Sequence, residues 1–219
     1  MALAAAVLRL DANGFPRMLR LFAALVEAES RHFAAAASQS AENHLVRAFR
    51  GGATPPVPIA EFLERIQRCN YMFEGGVYIL AGAYLARFMR SRAARDAGIL
   101  VEPATAHRLV SVAVLLGAKF SSPRYFNRRV ESFQICSGQY IKASEMCSLE
   151  LLFLRAIDYR LFVGDEEFQR FLRVMERGPM APSASCGSSK KRKAEGAAGL
   201  QEEEPRRVRP CQPPVVASK

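Results

Sequence analysis

The fold of this chain is decided by the stretch Val110-Ser-Val-Ala-Val-Leu-Leu-Gly-Ala-Lys-Phe120 and by a second apolar stretch, Met146-Cys-Ser-Leu-Glu-Leu-Leu-Phe-Leu154. Each is apolar around most of a helical circumference, which is typical of a helix in the middle of a core. Each also contains one charge, Lys119 in the first and Glu150 in the second, and a lone buried charge is costly. The two charges therefore either bridge each other and only join two helices, or they lie at the rim of a docking surface.

The rest of the sequence predicts helices that surround the first stretch. Apolar residues recur at helical spacing, without the strict alternation of a β-strand, so we expect an all-α domain. The central helix is expected over 105–120 and a second long helix over 144–159. Gly75-Gly76 is interpreted as a helix end, and 91–102 as a polar, arginine-rich loop. Further helices are expected from Pro16 onward and over 59–73, 77–88, 130–136 and 168–175.

Composition divides the chain into three parts. Residues 1–58 are expected to form a helical extension that ends in the linker Gly51-Gly-Ala-Thr-Pro-Pro-Val-Pro58, where glycine and proline interrupt helices. Residues 59–176 are expected to form the folded domain, with five helices around the central apolar one. Residues 177–219 contain few large apolar side chains and cannot bury enough surface to offset chain entropy, so we expect this tail to be disordered.

The basic charge of the chain is concentrated in the tail. The net charge is +10 over 219 residues, and nine Lys and Arg against four Glu from 177 onward leave +5 there. Half of the excess lies outside the folded domain, which does not favour nucleic-acid binding by the fold itself. The longest apolar run is shorter than the roughly 20 residues that cross a bilayer, so no membrane span is expected.

The sequence lacks the patterns of catalytic and metal sites. Its cysteines show no C-x-x-C spacing and no paired histidines, so we expect reduced thiols and no bound metal or cofactor. The histidines are isolated from any nucleophile motif, and there is no glycine-rich phosphate loop. We therefore expect a non-enzyme without a small-molecule substrate. The cysteines are Cys69, Cys136, Cys147, Cys186 and Cys211, and the histidines are His32, His44 and His107.

Ordered motifs in the chain resemble those of one protein family. They are Phe62-Leu-Glu-Arg-Ile66, Tyr84-Leu-Ala-Arg-Phe88, His107-Arg-Leu109, Ala118-Lys-Phe120, Tyr125-Phe-Asn127, Glu145-Met146, Leu149-Glu150, Phe153-Leu154 and Asp158-Tyr-Arg-Leu161. In this order and spacing, over roughly residues 16–175, they resemble the cyclin box of the plant P-type (U-type) cyclins, relatives of the fungal phosphate-regulon cyclin. Single triplets are weak signals, and the ordered set carries the resemblance.

The resemblance implies a regulatory subunit that binds and activates a cyclin-dependent Ser/Thr protein kinase, in cell-cycle or phosphate-linked nutrient control. Such a subunit pushes the regulatory helix of the kinase inward, which aligns the groups that transfer phosphate. By resemblance, Lys119 and Glu150 bond main-chain groups of the kinase, while Leu116, Phe120 and Leu154 supply apolar contact. Composition alone favours the alternative that Leu116 and Leu154 are core residues.

The chain departs from the family pattern in two places. Ala86 replaces an aspartate, which removes a carboxylate whose partner would be Arg65 or Lys119, and the stretch 127–150 is a few residues longer than usual. These departures leave open a kinase-binding scaffold that does not activate. A DNA-binding transcription regulator with the same helical fold is the other alternative, and steeply salt-dependent DNA binding by residues 1–176 would favour it.

Two basic clusters in the tail are typical of a bipartite nuclear-import signal. Twelve residues, 194–205, separate them, and an import receptor binds such short Lys/Arg runs in acidic grooves. We therefore expect a nuclear protein whose partners are a cyclin-dependent kinase and a nuclear import receptor. The cluster residues are Lys190, Lys191, Arg192, Lys193, Arg206, Arg207 and Arg209.

Overall fold

The computed structural model describes residues 7–34, 43–70, 73–121 and 129–178, which all belong to the unit Met1–Pro182. The nuclear-import clusters, and the tail from 179 onward that is expected to be disordered, lie outside the described residues. Helices account for the architecture of these ranges, which confirms the all-α prediction. The helices are α1 (Arg17–His32), α2 (His44–Arg50), α3 (Ile59–Cys69), α4 (Gly75–Arg90), α5 (Arg92–Ala97), α6 (Pro103–Ser121), α7 (Arg129–Cys136), α8 (Ala143–Ala156) and α9 (Asp165–Arg177).

Helix α6 forms the centre of the core, as its all-round apolar sequence predicts. Every residue from Thr105 to Ala118 is buried, and α4 packs along the helix. The two helices approach closely at Gly117, where an added Cβ atom would lie 2.7 Å from the carbonyl oxygen of Val77. Any larger residue at position 117 would therefore push α4 away from the central helix.

Helices α1 and α2 share this core, although the sequence assigns them to an extension. Pro16 directly precedes α1, where the fixed φ of proline suits a helix start. Met18, Leu19 and Phe22 of α1 and Phe49 of α2 are at most 2% exposed. Helix α1 packs on α3 and α4, and α2 packs on α6. The N-terminal helices are thus part of the packed domain.

The prediction that Gly75-Gly76 ends a helix is wrong. The preceding helix, α3, already ends at Cys69, and the two glycines form the first turn of α4. Val77 and Tyr78, in the same part of α4, are buried in the core. Their burial outweighs the low helix propensity of glycine, which is only a weak local preference.

The stretch 91–102 is not simply a loop as predicted, because it contains α5. The hydroxyl oxygen of Ser91 accepts a hydrogen bond at 3.1 Å from the backbone N–H of Ala94, which caps the start of this short helix. Gly98 ends it in the left-handed conformation, the usual role of glycine after a helix. Ala94 and Ala97 are buried, so packing supports a helix whose arginine-rich sequence suggests none.

The structure brings two of the cysteines together. Cys69 at the end of α3 and Cys136 at the end of α7 meet with their Cα atoms 7.2 Å apart, although they are 67 positions apart in sequence. This Cα separation is longer than that of a typical disulfide, so the expectation of reduced thiols stays a prediction. The packing of α3 on α7 brings them together, and no spacing motif signals so distant a pair. Cys147 is free and exposed, while Cys186 and Cys211 lie outside the described residues.

One buried arginine fastens the polar segments around α6. The guanidinium of Arg108, which is 1% exposed, donates to the carbonyl oxygens of Arg50 and Ala53 at 2.8 Å and to that of Tyr140 at 3.2 Å. Its Nε–H donates to the carboxylate of Glu145 at 2.6 Å. A single side chain therefore holds both the linker after α2 and the start of α8 on the central helix.

We expect Gly51→Ala to lower the free energy of unfolding by at least about 2 kcal/mol. Gly51 has a φ of +59°, where other residues are strained, and an added Cβ atom would overlap the Arg108 guanidinium. Gly52→Ala is the matched control, because a Cβ atom there meets nothing within 4 Å. Urea denaturation measures both variants, and equal stabilities would contradict the close approach of the linker to Arg108.

Neither a membrane-spanning helix nor a metal-binding cluster is found among the described residues. No helix in these ranges combines the length and the apolar character that crossing a bilayer requires. In the same part of the chain, no group of three or more His, Cys, Asp or Glu side chains is placed to hold a metal ion.

Candidate docking surface

Lys119 and Glu150 bond each other between α6 and α8. The Nζ atom of Lys119 donates to both carboxylate oxygens of Glu150, at 2.5 and 2.6 Å. Lys119 lies in the last turn of α6 and Glu150 in the middle of α8, and the two helices pack together. The side chains remain 18% and 14% exposed. The bridge therefore forms, and it lies at the edge of the core, where a partner can reach both charges.

Exposed apolar side chains flank the bridge. Phe120 is 42% exposed next to Lys119, Leu151 is 42% exposed next to Glu150, and Leu154 is half-buried one turn further along α8. We call these five residues the docking surface. Charged groups set among exposed apolar side chains are typical of a surface that another protein covers.

Leu116 does not belong to the docking surface. Its side chain is 2% exposed, within the buried stretch of α6, because the helix is surrounded by others at that level. This burial corrects the expectation that Leu116 supplies apolar contact to a partner and agrees with the alternative that assigns it to the core.

Leu151 is the docking-surface residue that sequence reasoning missed. The predicted inward face of α8, formed by Met146, Leu149 and Phe153, is buried as expected. The helical period that places these residues inward also turns Leu151 outward. The helical period of α8 therefore indicates that Leu151 is exposed, but a large apolar residue within an apolar segment resembles a core residue.

The position of α8 is set by hydrogen bonds at its N-terminus. The side-chain oxygen of Gln134 in α7 accepts from the backbone N–H of Ala143 at 2.9 Å. Glu145, in the first turn of α8, accepts from the Nε–H of Arg108 in the central helix. These bonds hold α8 in the register in which its glutamate meets the lysine of α6.

Ala86 lies away from the bridge. It lines an apolar cavity of about 340 Å³ between α1, α4 and α9. Arg65 pairs with Glu61 on its own helix at 2.5 Å, and Lys119 pairs with Glu150. The expectation that a carboxylate at position 86 would partner Arg65 or Lys119 is therefore wrong, because α4 turns this position toward α1 and α9.

His107 is buried beside the proline-rich linker. The residue is 6% exposed, and the Nε2 atom of its ring lies 2.9 Å from the carbonyl oxygen of Val57. No described residue bonds its Nδ1 atom. Burial is the main cause that lowers the pKa of His107, and the charge of Arg108 acts in the same direction. The hydrogen bond to Val57 and the charge of Glu27 oppose this shift.

We expect acidification from about pH 7.5 to about pH 5 to destabilise the wild type more than His107→Gln. The folded-state pKa lies below the unfolded value of about 6.5, so below that pH the unfolded chain binds the proton first. The contribution of neutral His107 to stability is thus complete above about pH 6.5, and it is lost as the pH falls toward the pKa of the folded state. Glutamine can still donate to Val57 but does not titrate. Thermal unfolding across this range measures the effect, and parallel pH profiles would contradict it.

Known sequences match this chain over most of the described domain. A sequence model of the family Cyclin matches residues 17–161. The chain is 34% identical over 168 residues to Cyclin-P2-1 of Oryza sativa subsp. japonica, which covers 74% of this chain and 71% of the relative. It is 32% identical over 171 residues to Cyclin-P4-1 of the same plant, with 75% of each covered. It is 31% identical over 132 residues to Cyclin-U4-3 of Arabidopsis thaliana, with 59% and 55% covered.

The family match begins at the first residue of α1, in agreement with the shared core of α1 and the later helices. It continues through α8, so it includes both members of the Lys119–Glu150 bridge. The match and the relatives confirm the resemblance that the ordered motifs indicate. The chain therefore belongs to the cyclin family, with the plant P-type and U-type cyclins among its relatives, and it is a regulatory subunit and not an enzyme.

Proposed function

We propose that this chain binds and activates a cyclin-dependent Ser/Thr protein kinase through the docking surface, in cell-cycle or phosphate-linked nutrient control. The observation that carries the proposal is the partly exposed Lys119–Glu150 bridge between the exposed side chains of Phe120 and Leu151. A carboxylate oxygen has more than one acceptor site, so Glu150 can accept a kinase backbone N–H while it bonds Lys119. An ammonium group can likewise donate to a kinase carbonyl oxygen.

The apolar residues give these polar contacts their strength. When Phe120, Leu151 and Leu154 are covered, water leaves the neighbourhood of the charges, and hydrogen bonds there become stronger. Contact with a rigid helical surface then holds the regulatory helix of the kinase in its inward position. That position brings the Lys–Glu pair and the metal-binding Asp of the kinase into line for phosphoryl transfer.

The test uses the purified full-length chain and a panel of recombinant cyclin-dependent kinases. We expect affinity capture of at least one kinase, and faster phosphorylation of a Ser-Pro peptide by that kinase when the chain is present. A kinase that is captured but stays inactive would support the non-activating scaffold instead. Capture of no kinase in the panel would overturn the proposal.

We also propose that the tail directs the chain to the nucleus through an import receptor. The support is the pair of basic clusters, 190–193 and 206–209, whose separation suits a bipartite signal. We expect a fusion to a reporter too large to diffuse through the nuclear pore to accumulate in nuclei. Alanine at all seven cluster residues should abolish accumulation, whereas alanine at Glu202, Glu203 and Glu204 between them should not. Nuclear accumulation of the cluster variant would contradict the assignment.

A further inference from the structure

A cavity of about 620 Å³ opens where α4 ends, beside the segment 159–162 that follows α8. Arginines from α4 and from this segment line it, together with Tyr159, Phe162 and, at the start of α9, Glu167. None of these residues belongs to the docking surface, and the proposed kinase contact gives the cavity no role. The arginines and aromatic rings that line the cavity are therefore not accounted for by kinase binding.

Arg87 makes one wall of the cavity rigid. Its guanidinium donates to both carboxylate oxygens of Glu167, at 3.2 and 2.5 Å. It also donates to the carbonyl oxygens of Arg160 and Phe162, at 2.5 and 2.8 Å. Because these bonds tie the segment to α4 and α9, the side chains that it carries are presented in one arrangement before any partner arrives. Such preorganisation lowers the entropic cost of binding.

The backbone is strained where this segment begins, and the aromatic rings of the segment are exposed. Asp158, directly before the segment, and Tyr159 have φ values of +53° and +55°, a left-handed conformation that aspartate tolerates better than a bulky residue such as tyrosine. Strain of this kind is concentrated at functional sites, where the surrounding structure enforces it. Tyr159 and Phe162 are 58% and 78% exposed. Exposed aromatic side chains on a fixed backbone are typical anchors for a partner.

The cavity carries an excess of positive charge. It contains three arginines and a single carboxylate, that of Glu167, which Arg87 already binds. Among the described residues, neither Arg90 nor Arg160 has a carboxylate partner, and the Nε–H of Arg160 makes a long contact of 3.4 Å to the carbonyl oxygen of Ile157. Two guanidinium groups are thus available beside the exposed aromatic rings.

We propose that this cavity is a docking site for an acidic, unphosphorylated peptide segment of a partner protein. Carboxylates of the peptide pair with Arg90 and Arg160, and an apolar side chain of the peptide packs against Phe162. Arginine is well suited to this role because its planar guanidinium binds a carboxylate through two parallel hydrogen bonds. Charge complementarity with the uncompensated arginines selects an acidic segment.

A peptide fits these features better than a nucleic acid does. A nucleic-acid strand is bound along an extended basic stripe, whereas these arginines converge on one cavity whose other polar member is a glutamate. The two aromatic rings lie beside the arginines, so a ligand must offer apolar and anionic groups within a few residues of each other. A short linear segment with acidic and apolar side chains meets that requirement.

The test is a selection of peptides on the full-length chain, with no kinase present. A phage-displayed library of random unmodified peptides is selected on the wild type, and enriched peptides are synthesised with a fluorescent label. We expect enrichment of Asp and Glu next to aromatic or large aliphatic residues. Fluorescence anisotropy should show binding that weakens as the salt concentration rises, because salt screens the ion pairs.

Three variants decide whether the peptide occupies this cavity. Arg90→Glu/Arg160→Glu should weaken binding at least about tenfold, and Phe162→Ser should also weaken it. Arg170→Glu/Arg173→Glu is the matched control with the same change in charge, at exposed positions of α9 that do not line the cavity. Circular dichroism confirms that each variant is folded.

Several results would overturn the proposal. These are a selection without acidic enrichment, equal loss of binding in the control variant, or full binding by the Arg90→Glu/Arg160→Glu protein. Binding that appears only when phosphoserine replaces the acidic residues of the peptide would also overturn it, in favour of a phosphopeptide site. Equal competition by single-stranded DNA would favour a general anion surface.

Discussion

Replacing Lys119 and Glu150 together by alanine should reduce the affinity for the kinase by about 30-fold or more, while the chain stays folded. Charged anchors in an apolar contact contribute on the order of 2–4 kcal/mol each when they are truncated, and about 1.4 kcal/mol corresponds to a factor of ten. Both residues must be changed at once, because removing one would break the ion pair and leave the other charge partly buried. Affinity capture and the activity of the captured kinase measure the effect.

The matched control is the double alanine variant of Arg92 and Asp96. This ion pair also joins a basic and an acidic side chain, at 3.2 Å, but it lies fully on the surface of α5. We expect this control variant to bind the kinase with the same affinity as the wild type. Wild-type binding by the Lys119→Ala/Glu150→Ala protein would contradict the proposed docking surface.

Exchanging the charges separates the two roles that the bridge can have. Lys119→Glu/Glu150→Lys keeps an ion pair between α6 and α8 but reverses the charges that a kinase meets. If the bridge only joins two helices, the exchanged protein should still bind the kinase. If the charges bond kinase main-chain groups, as we propose, binding should be lost although thermal stability is largely kept.

Arg108→Ala should lower the free energy of unfolding by about 3–5 kcal/mol, the usual cost of removing one partner of a buried ion pair. The substitution leaves Glu145 without its cationic partner and removes the donor from the carbonyl oxygens of Arg50, Ala53 and Tyr140. Unsatisfied acceptors in a buried region are costly because water does not replace the lost donor there. Urea denaturation of the full-length chain measures the change.

Two further variants test whether this cost comes from the hydrogen bonds. Arg108→Lys keeps the charge but has no planar fork to reach acceptors from three segments, so an intermediate loss is expected. Arg92→Ala removes an exposed arginine, whose side chain is 90% exposed, and should change stability by no more than about 0.5 kcal/mol. A loss below about 1 kcal/mol for Arg108→Ala would mean that the linker and α8 are held by other contacts.

The spacing of apolar residues, together with the glycines and prolines that interrupt helices, was sufficient to predict most of the helices. The all-round apolar pattern of α6 requires burial on every side, so its central position follows from composition alone. The inward face of α8 likewise follows from the spacing of Met146, Leu149 and Phe153. Local signals failed where packing overrode them, at the glycine pair that begins α4 and in the arginine-rich stretch that forms α5. Propensity is a weak preference, and burial of neighbouring residues outweighs it.

Helical periodicity and the ordered motifs predict an all-α cyclin box with an apolar central helix and one charge in each of two core segments. Only the packing of the helices shows that Lys119 and Glu150 meet, that Leu116 is buried while Leu151 is exposed, and that Cys69 lies against Cys136. The network around Arg108 also depends on segments far apart in the chain. The physical reason is that helical periodicity acts over a few residues, whereas these contacts depend on how complete helices pack against one another.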